Sequence, residues 1–272
     1  MREGFGFGWT NNEGYNNTYD YEHGMNIDVL VMGSSQMEAV QVEQRECASA
    51  ELASISGMRV YNIGISAHYF SRCIQNLAAA VRKYQPSKYI VMETSSVTFT
   101  DDDLKEILSS RVPATERGTL RLLMRKNPYF FLLWVQAHDY ISNNFKKPPQ
   151  KSNATSNPVF LSEILNNMKE TAAESGAKIV VVYHPSVSLN KDGTMSINGS
   201  PDTVKQFSEL CTQNGIYFLD MSNRFLSEYE NQHVLPYGFM NTSVGKGHMN
   251  RYGHRMFAEE IYKLIQRIEA QS

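Results

Sequence analysis

Four short runs of apolar residues, rich in Val and Ile and separated by helical stretches, constrain this chain more than any other feature, and a fifth candidate follows them. They are Ile27 to Met32, Val60 to Ile63, Tyr89 to Met92 and Lys178 to Tyr183, with Tyr217 to Leu219 the fifth. Apolar residues stand at consecutive rather than alternate positions, as a strand requires when both faces of its sheet are covered. Between the runs, the spacing predicts helices over Glu38 to Ser56, Tyr69 to Tyr84, Asp102 to Ser110, Arg117 to Asn144, Phe160 to Glu174 and Pro201 to Gln213. A final helix is predicted over about Tyr252 to Gln271. Strand and helix in alternation imply right-handed crossovers, so the predicted fold class is α/β: a three-layer α/β/α sandwich around a central, mostly parallel, flavodoxin-like sheet.

The 272 residues suffice for one full hydrophobic core, and one domain is predicted over 26–272. Residues 1–25 stand apart, because the segment Gly4 to Tyr21 is rich in Gly, Asn and Tyr and has neither helical nor strand periodicity. It reads as an extended arm or tether, of the kind left behind a membrane anchor, and equally as a disordered terminus. A helical insertion is predicted over about 102–158. Its apolar Leu120, Leu122, Leu123 and Phe130 to Trp134 are expected to pack on the core, to lid the site or to dock on a further domain or membrane surface, and Lys146 to Pro158 reads as a loop. Asp101, Asp102 and Asp103 read as charge at a helix N-terminus.

Composition excludes some partners. With 26 basic and 28 acidic residues the net charge is −2, so no general field favours nucleic acid, and association with a membrane is expected only through an anchor upstream of the arm. The longest apolar run, Phe130 to Val135, is far short of the ~20 residues of a membrane helix. Cys47, Cys73 and Cys211 lack metal-site or disulfide spacing and are expected in the core.

Ligands of open parallel sheets bind outside the carboxyl ends of the strands. The residues there are Gly33-Ser34-Ser35, Gly64-Ile65-Ser66, Glu93-Thr94-Ser95-Ser96, His184-Pro185-Ser186 and Asp220. Small, hydroxyl and ionisable side chains gathered on one edge suit acyl transfer. The same residues are also common in strand-to-helix turns; Ser35 alone can be read as a helix N-cap and His248 as a surface turn residue.

The stretch from Asp28 to Ala39, with Gly33-Ser34-Ser35, resembles the first signature block of the SGNH (GDSL-like) hydrolases. Val60 to Ala67 resembles the second block, and Gly247-His248-Met249-Asn250-Arg251-Tyr252-Gly253-His254 with Ala258 resembles the fifth. The resemblance spans roughly 27–268. It departs from the family's pattern at Ser34, which stands where the family has Asp, and at Glu93 to Ser96, which lack the family's Asn. It departs again at Gly245, where the family has the Asp that orients the catalytic histidine.

The resemblance implies a serine esterase or O-acyltransferase with Ser35 as nucleophile and His248 as general base, acting without metal or cofactor. A serine hydroxyl needs a neighbouring base, and a histidine of ordinary pKa, ~6.5, suits that role near neutral pH. With no Asp at 245, the group that orients His248 is expected to be Asp220, Glu93 or a backbone carbonyl, with Asp220 as the third member named. The oxyanion hole is assigned to the N–H groups of Ser35 and Gly64, with Gln36 beside them, and to Ser96 or Ser95 in place of the missing Asn. His184 and Asn250 are placed at the substrate, and Tyr237 and Phe239 are placed to stack on a sugar face. His184 can equally be a structural histidine and Asp220 a turn cap. His254 with His248 lacks a third ligand for zinc.

By the same resemblance the substrate is a small acyl ester, an acetyl ester above all, of a carbohydrate or cell-envelope polymer. That places the chain outside the cytoplasm or in the cell envelope. The rival reading is a glycan-binding domain that retains the scaffold without turnover.

Overall fold

The computed structural model describes residues 3, 4, 6–100, 103, 104, 107 and 158–271. All five apolar runs form strands of one sheet. They are β1 (Val29–Met32), β2 (Val60–Asn62), β3 (Tyr89–Thr94), β4 (Lys178–Tyr183) and, after the hairpin β5 (Val187–Leu189) and β6 (Met195–Ile197), β7 (Tyr217–Asp220). The sheet order is β2-β1-β3-β4-β7, and every pairing in it is parallel.

Seven helices lie among the described residues: α1 (Ser35–Glu38), α2 (Ala48–Ser56), α3 (Phe70–Tyr84), α4 (Pro158–Ala173), α5 (Pro201–Gln213), α6 (Ser222–Gln232) and α7 (Arg251–Glu269). The two-residue period of the strands sorts their side chains between two helical layers. Leu30, Ile90, Met92, Ile179 and Val181 pack with Leu77 of α3, Leu165 of α4 and Phe207 of α5. Val29, Val31, Val91, Val180 and Val182 point the other way and pack with Leu52 of α2, Phe225 of α6 and Phe257 of α7. Burying one such side chain stabilises the fold by ~1.5–3 kcal/mol. The result is a three-layer α/β/α sandwich whose strand ends share one edge.

The structure departs from the expected elements in three places. The helix predicted over Glu38 to Ser56 is broken, because Ala39 adopts a left-handed conformation (φ 52°) and ends α1 after one turn. The Glu38 carboxylate accepts the Ser66 N–H at 2.6 Å and also the Ser66 hydroxyl, tying the end of α1 to the loop after β2. The chain then re-enters through a 3-10 turn at Gln44–Glu46 before α2. The other two departures are α6 and the β5–β6 hairpin, which were not anticipated. Most of the insertion, including Arg117 to Asn144 and the loop up to 157, lies outside the described residues. At its start Thr100 and Asp103 exchange side-chain and backbone hydrogen bonds in the manner of a capping box.

The Gly-, Asn- and Tyr-rich arm is laid along the open edge of β2. Asn17 turns its side-chain amide onto Asn62, donating to the Asn62 carbonyl at 2.9 Å and accepting the Asn62 N–H at 2.8 Å. The Tyr19 hydroxyl donates to the Val60 carbonyl at 2.8 Å. Side chains thus satisfy groups that a sixth strand would otherwise pair, and this blunts the edge. Glu13 accepts the hydroxyls of Tyr61 and Tyr84 and pairs with Lys83. Closer to its start, the arm leaves the edge and crosses toward the carboxyl ends of the strands. There the Asn241 amide holds Gly4, accepting its N–H at 3.1 Å and donating to its carbonyl at 3.3 Å.

Candidate active site

The turn after β1 places Ser34 and Ser35 in different roles. Ser34 is the N-cap of α1: its hydroxyl accepts the Gln36 N–H at 3.4 Å. Ser35 is the first helical residue, so its own hydroxyl is free of the capping role. That hydroxyl lies 2.9 Å from His248 Nε2, with the two residues 213 positions apart in sequence.

His248 sits at the end of a loop that leads into α7. Asn250 caps that helix, accepting from the N–H groups of Tyr252 and Gly253 and donating to the carbonyls of Leu235 and Gly238. All its amide positions are used in this way, so it is a structural anchor rather than a substrate contact. Gln36, next to Ser35, brackets His248: its Oε1 accepts the Met249 N–H at 2.7 Å and its Nε2 donates to the Gly247 carbonyl at 3.4 Å.

The carboxylate on His248 comes from neither expected strand end. It is Glu3, from the arm: Oε2 lies 2.5 Å from His248 Nδ1 and Oε1 accepts the His248 N–H at 2.9 Å. Gly247 permits the contact, because a Cβ at that position would collide with the Glu3 carboxylate. A carboxylate can only accept, so the proton sits on Nδ1 and the lone pair of Nε2 faces the Ser35 hydroxyl. This is the tautomer a general base requires.

Asp220 is instead spent on the first turn of α6, accepting the Ser222 N–H at 2.9 Å and the Ser222 hydroxyl at 2.5 Å. Glu93 is buried at the end of β3, with Oε2 accepting the Ser34 N–H at 2.7 Å and Oε1 lying 2.5 Å from His184 Nε2. Burial alone would raise its pKa. The adjoining His184 and the hydrogen bonds from His184 and Ser34 outweigh burial and hold the carboxyl below the usual range.

Five other assignments are corrected by the geometry. His184 is 1% exposed and Tyr237 4%, so neither reaches a substrate; the Tyr237 hydroxyl lies 2.8 Å from His184 Nδ1 and donates to the Pro185 carbonyl at 2.8 Å. Phe239 packs against Ala39, Val42 and Cys47 and supports the arm rather than offering a sugar platform. The Gly64 N–H is committed to Asn62 Oδ1 at 2.9 Å, and a side chain on Gly64 would meet the backbone of Met37 and Glu38, so this glycine serves the close packing of α1. Ser96 is exposed and bonds within its own turn, its N–H to Thr94 Oγ1 and its hydroxyl with Thr98 Oγ1. With Gln36 N–H on Ser34, the donor remaining beside the Ser35 hydroxyl is the Ser35 N–H, one of the unpaired donors of a first helical turn.

His254, one turn into α7, is 1% exposed, and its Nδ1 has no hydrogen-bond partner. Burial first, then the neighbouring His184 and His248, push its pKa down to about 3. The folded protein therefore keeps this ring neutral while the unfolded chain protonates it, so stability is full above the reference value of ~6.5 and is lost as pH falls. Between about pH 6.5 and 4.5 this group should remove about 2 kcal/mol. Denaturant titrations of wild type and His254→Leu at both pH values test it: the variant's loss should be smaller by that amount, and equal losses would assign the acid limb to other groups. Among the described residues, no three His, Cys, Asp or Glu side chains gather in a way that could hold a metal ion. No described helix is long and apolar enough to cross a membrane.

Fold and site together define a class: a parallel α/β sandwich with a serine, a histidine and a carboxylate in hydrogen-bonded series at its carboxyl edge. The chain matches no protein-family model and no curated protein. Solved structures similar to it are GDSL and SGNH hydrolases and esterases. One is a G-D-S-L family protein from Desulfitobacterium hafniense, at 12% identity and a TM-score of 0.47 over 88% of this chain and 99% of that one. A second is the esterase EstA from Pseudoalteromonas sp., at 13% identity and 0.46 over 89% and 98%. A third is the acetyl xylan esterase AlAXEase, at 11% identity and 0.48 over 87% and 99%.

Proposed function

We propose that this chain is a serine esterase or O-acyltransferase in which Ser35, His248 and Glu3 act as a triad. The observation that carries the reading is the series Ser35 Oγ, His248 Nε2, His248 Nδ1, Glu3 Oε2, with separations of 2.9 and 2.5 Å at its two hydrogen bonds. Ser35 Oγ attacks the ester carbonyl while His248 Nε2 takes its proton, and Glu3 stabilises the imidazolium so formed. The carbonyl oxygen of the tetrahedral intermediate faces the Ser35 N–H. His248 then returns the proton to the leaving alcohol, and the acyl-serine passes its acyl group to water or to a second alcohol by the reverse sequence.

The SGNH resemblance of the Ser35 and His248 blocks extends the reading to a small acyl ester of a carbohydrate or cell-envelope polymer, acetyl first. One observation favours the rival, non-catalytic reading: with the Gly64 N–H held by Asn62, a donor of the oxyanion hole is lost, which typically costs 10²–10³ in kcat. We expect a slow enzyme on that account. Mapping the adduct of a fluorophosphonate probe separates the two readings. Labelling is expected at Ser35 alone; no labelling, or equal labelling of Ser35→Ala, overturns the esterase reading in favour of a binding domain.

A further inference from the structure

Beneath the proposed triad runs a second hydrogen-bonded series that takes no part in the chemistry, and its members are almost sealed from solvent. It starts at the nucleophile turn, where Glu93 Oε2 accepts the Ser34 N–H at 2.7 Å. Glu93 Oε1 lies 2.5 Å from His184 Nε2, and His184 Nδ1 lies 2.8 Å from the Tyr237 hydroxyl. Tyr237 in turn forms an antiparallel bridge with Met249, the residue after His248. On either side of that bridge the Gly238 N–H donates to the His248 carbonyl and the Asn250 N–H to the Pro236 carbonyl, each at 3.0 Å. The path therefore begins one residue before Ser35 and ends on the backbone of His248, and it passes through the ends of β3 and β4.

Counting protons fixes its direction. Tyr237 has one hydroxyl proton, and the Pro185 carbonyl, which can only accept, takes it at 2.8 Å. The Tyr237 oxygen is then the acceptor toward His184, so Nδ1 carries a proton. On the other side, the Ser34 N–H and the His184 ring both point at Glu93, whose carboxyl is held below its usual range although burial opposes this. One proton is then shared between Glu93 Oε1 and His184 Nε2, and the pair sits between the Ser34 N–H on one side and the Tyr237 hydroxyl on the other. The ionisable groups facing the pair from packed elements are Tyr237, His254 and Cys73 of α3; His254 remains neutral, and burial with the nearby Glu93 pushes the Cys73 thiol up.

A buried pair of this kind is weak evidence for stability, since desolvating its two groups offsets most of their attraction. Its geometry instead suits fixing one arrangement. Taking Ser35 and His248 as the reacting pair proposed above, we propose that Glu93, His184 and Tyr237 are positioning residues that set the nucleophile turn against the histidine segment. They touch neither substrate nor reacting atoms. Their effect passes through Ser34 on one side and the Tyr237–Met249 bridge on the other.

The test uses Glu93→Gln and Tyr237→Phe in the full chain, each compared with wild type on para-nitrophenyl acetate. Misplacing a reacting pair by about 1 Å costs about a hundredfold, so kcat is expected to fall about ten- to hundredfold with KM changed less than about twofold. Fluorophosphonate labelling of Ser35 should slow by the same factor. Variants that melt earlier yet keep the wild-type kcat overturn the proposal and leave the series a structural one. Should Glu93→Gln fail to fold, Tyr237→Phe carries the kinetic test. A second measurement stands apart from kinetics: NMR of isotope-labelled histidine rings should show one ring whose Nδ1 proton exchanges slowly with water, assigned to His184 by its loss in His184→Gln. A wild-type spectrum without such a ring overturns the proposed series. Ser35→Ala separates the two levels of inference. If it turns over ester at the wild-type rate, the esterase reading itself falls; if it is inactive while Glu93→Gln and Tyr237→Phe keep full kcat, only the positioning role does.

Discussion

Ser35→Ala is expected to lower kcat on an aryl acetate by about four to six orders of magnitude, and His248→Ala by a comparable factor, with the double variant no worse than either single one. The reason is that nucleophile and base make one proton transfer between them. Once the hydroxyl is gone the imidazole has no proton to take, and once the imidazole is gone the hydroxyl remains a poor nucleophile, so the two losses overlap instead of adding. The 2.9 Å contact between Ser35 Oγ and His248 Nε2 makes the overlap a geometric expectation. The lower end of the range reflects the committed Gly64 N–H, since a hole with fewer donors gives less acceleration to lose. Steady-state rates of the three variants, each normalised to folded protein, decide the matter. Losses that multiply in the double variant would mean the residues act in separate steps, and an unchanged rate in His248→Ala would remove it as the base.

The sheet was legible because its strands are buried on both faces, which forces apolar residues at consecutive positions and leaves a strong local signal. Lys178 to Tyr183 was bounded as observed, and the other four runs differ from their strands by one or two residues at an end. The elements that escaped notice bury little. In α6 only Phe225 is fully buried, and the hairpin of β5 and β6 has three residues a side, too few for a period to emerge. The predicted helix over Glu38 to Ser56 failed at Ala39, where nothing in the residue type announces a left-handed turn. The tertiary tie from Glu38 to Ser66 outweighs local propensity there.

The site was legible to the same depth. Ser35 and His248 could be named because each sits at a fixed offset from an element that the pattern reveals: one just after β1, the other just before α7. The strand-end rule also gathered Glu93, His184 and Asp220 correctly at one edge, yet it could not say which carboxylate meets which ring. That depends on depth. Glu93 and His184 are sunk in the core and find each other, whereas Asp220 is exposed and holds the first residue of the helix that follows it. Glu3 lay beyond this kind of reasoning, because it is 245 positions from His248 and its arm has no periodicity. One hint was available. Gly245 leaves His248 without its local carboxylate, Gly247 opens space beside the ring, and the arm carries few acids, Glu3 and Glu13 among them.

Glu3→Gln is the substitution that asks whether the arm belongs to the catalytic unit, and kcat is expected to fall by about two to four orders of magnitude with KM little changed. A carboxylate presents two acceptors, and Glu3 uses both, one on the His248 N–H and one on Nδ1. A glutamine has one acceptor and one donor in the same space. If its amide N–H meets the His248 N–H, two donors collide and the arm is pushed off. If it meets Nδ1 instead, that nitrogen becomes the acceptor and the ring proton moves to Nε2, where it faces the Ser35 hydroxyl and blocks proton removal. Either outcome costs the base its working tautomer, and in both the imidazolium of the transition state loses its counter-charge. The pair is partly open to solvent, with side-chain exposures of 27% for His248 and 22% for Glu3, so water can orient some of the population. This is why the expected loss is smaller than for Ser35→Ala. Glu3 touches no substrate, so an effect confined to KM would contradict the role assigned to it. A Glu3→Gln protein that turns over at the wild-type rate would leave Ser35 and His248 working as a dyad and make the arm a cover for the sheet edge alone.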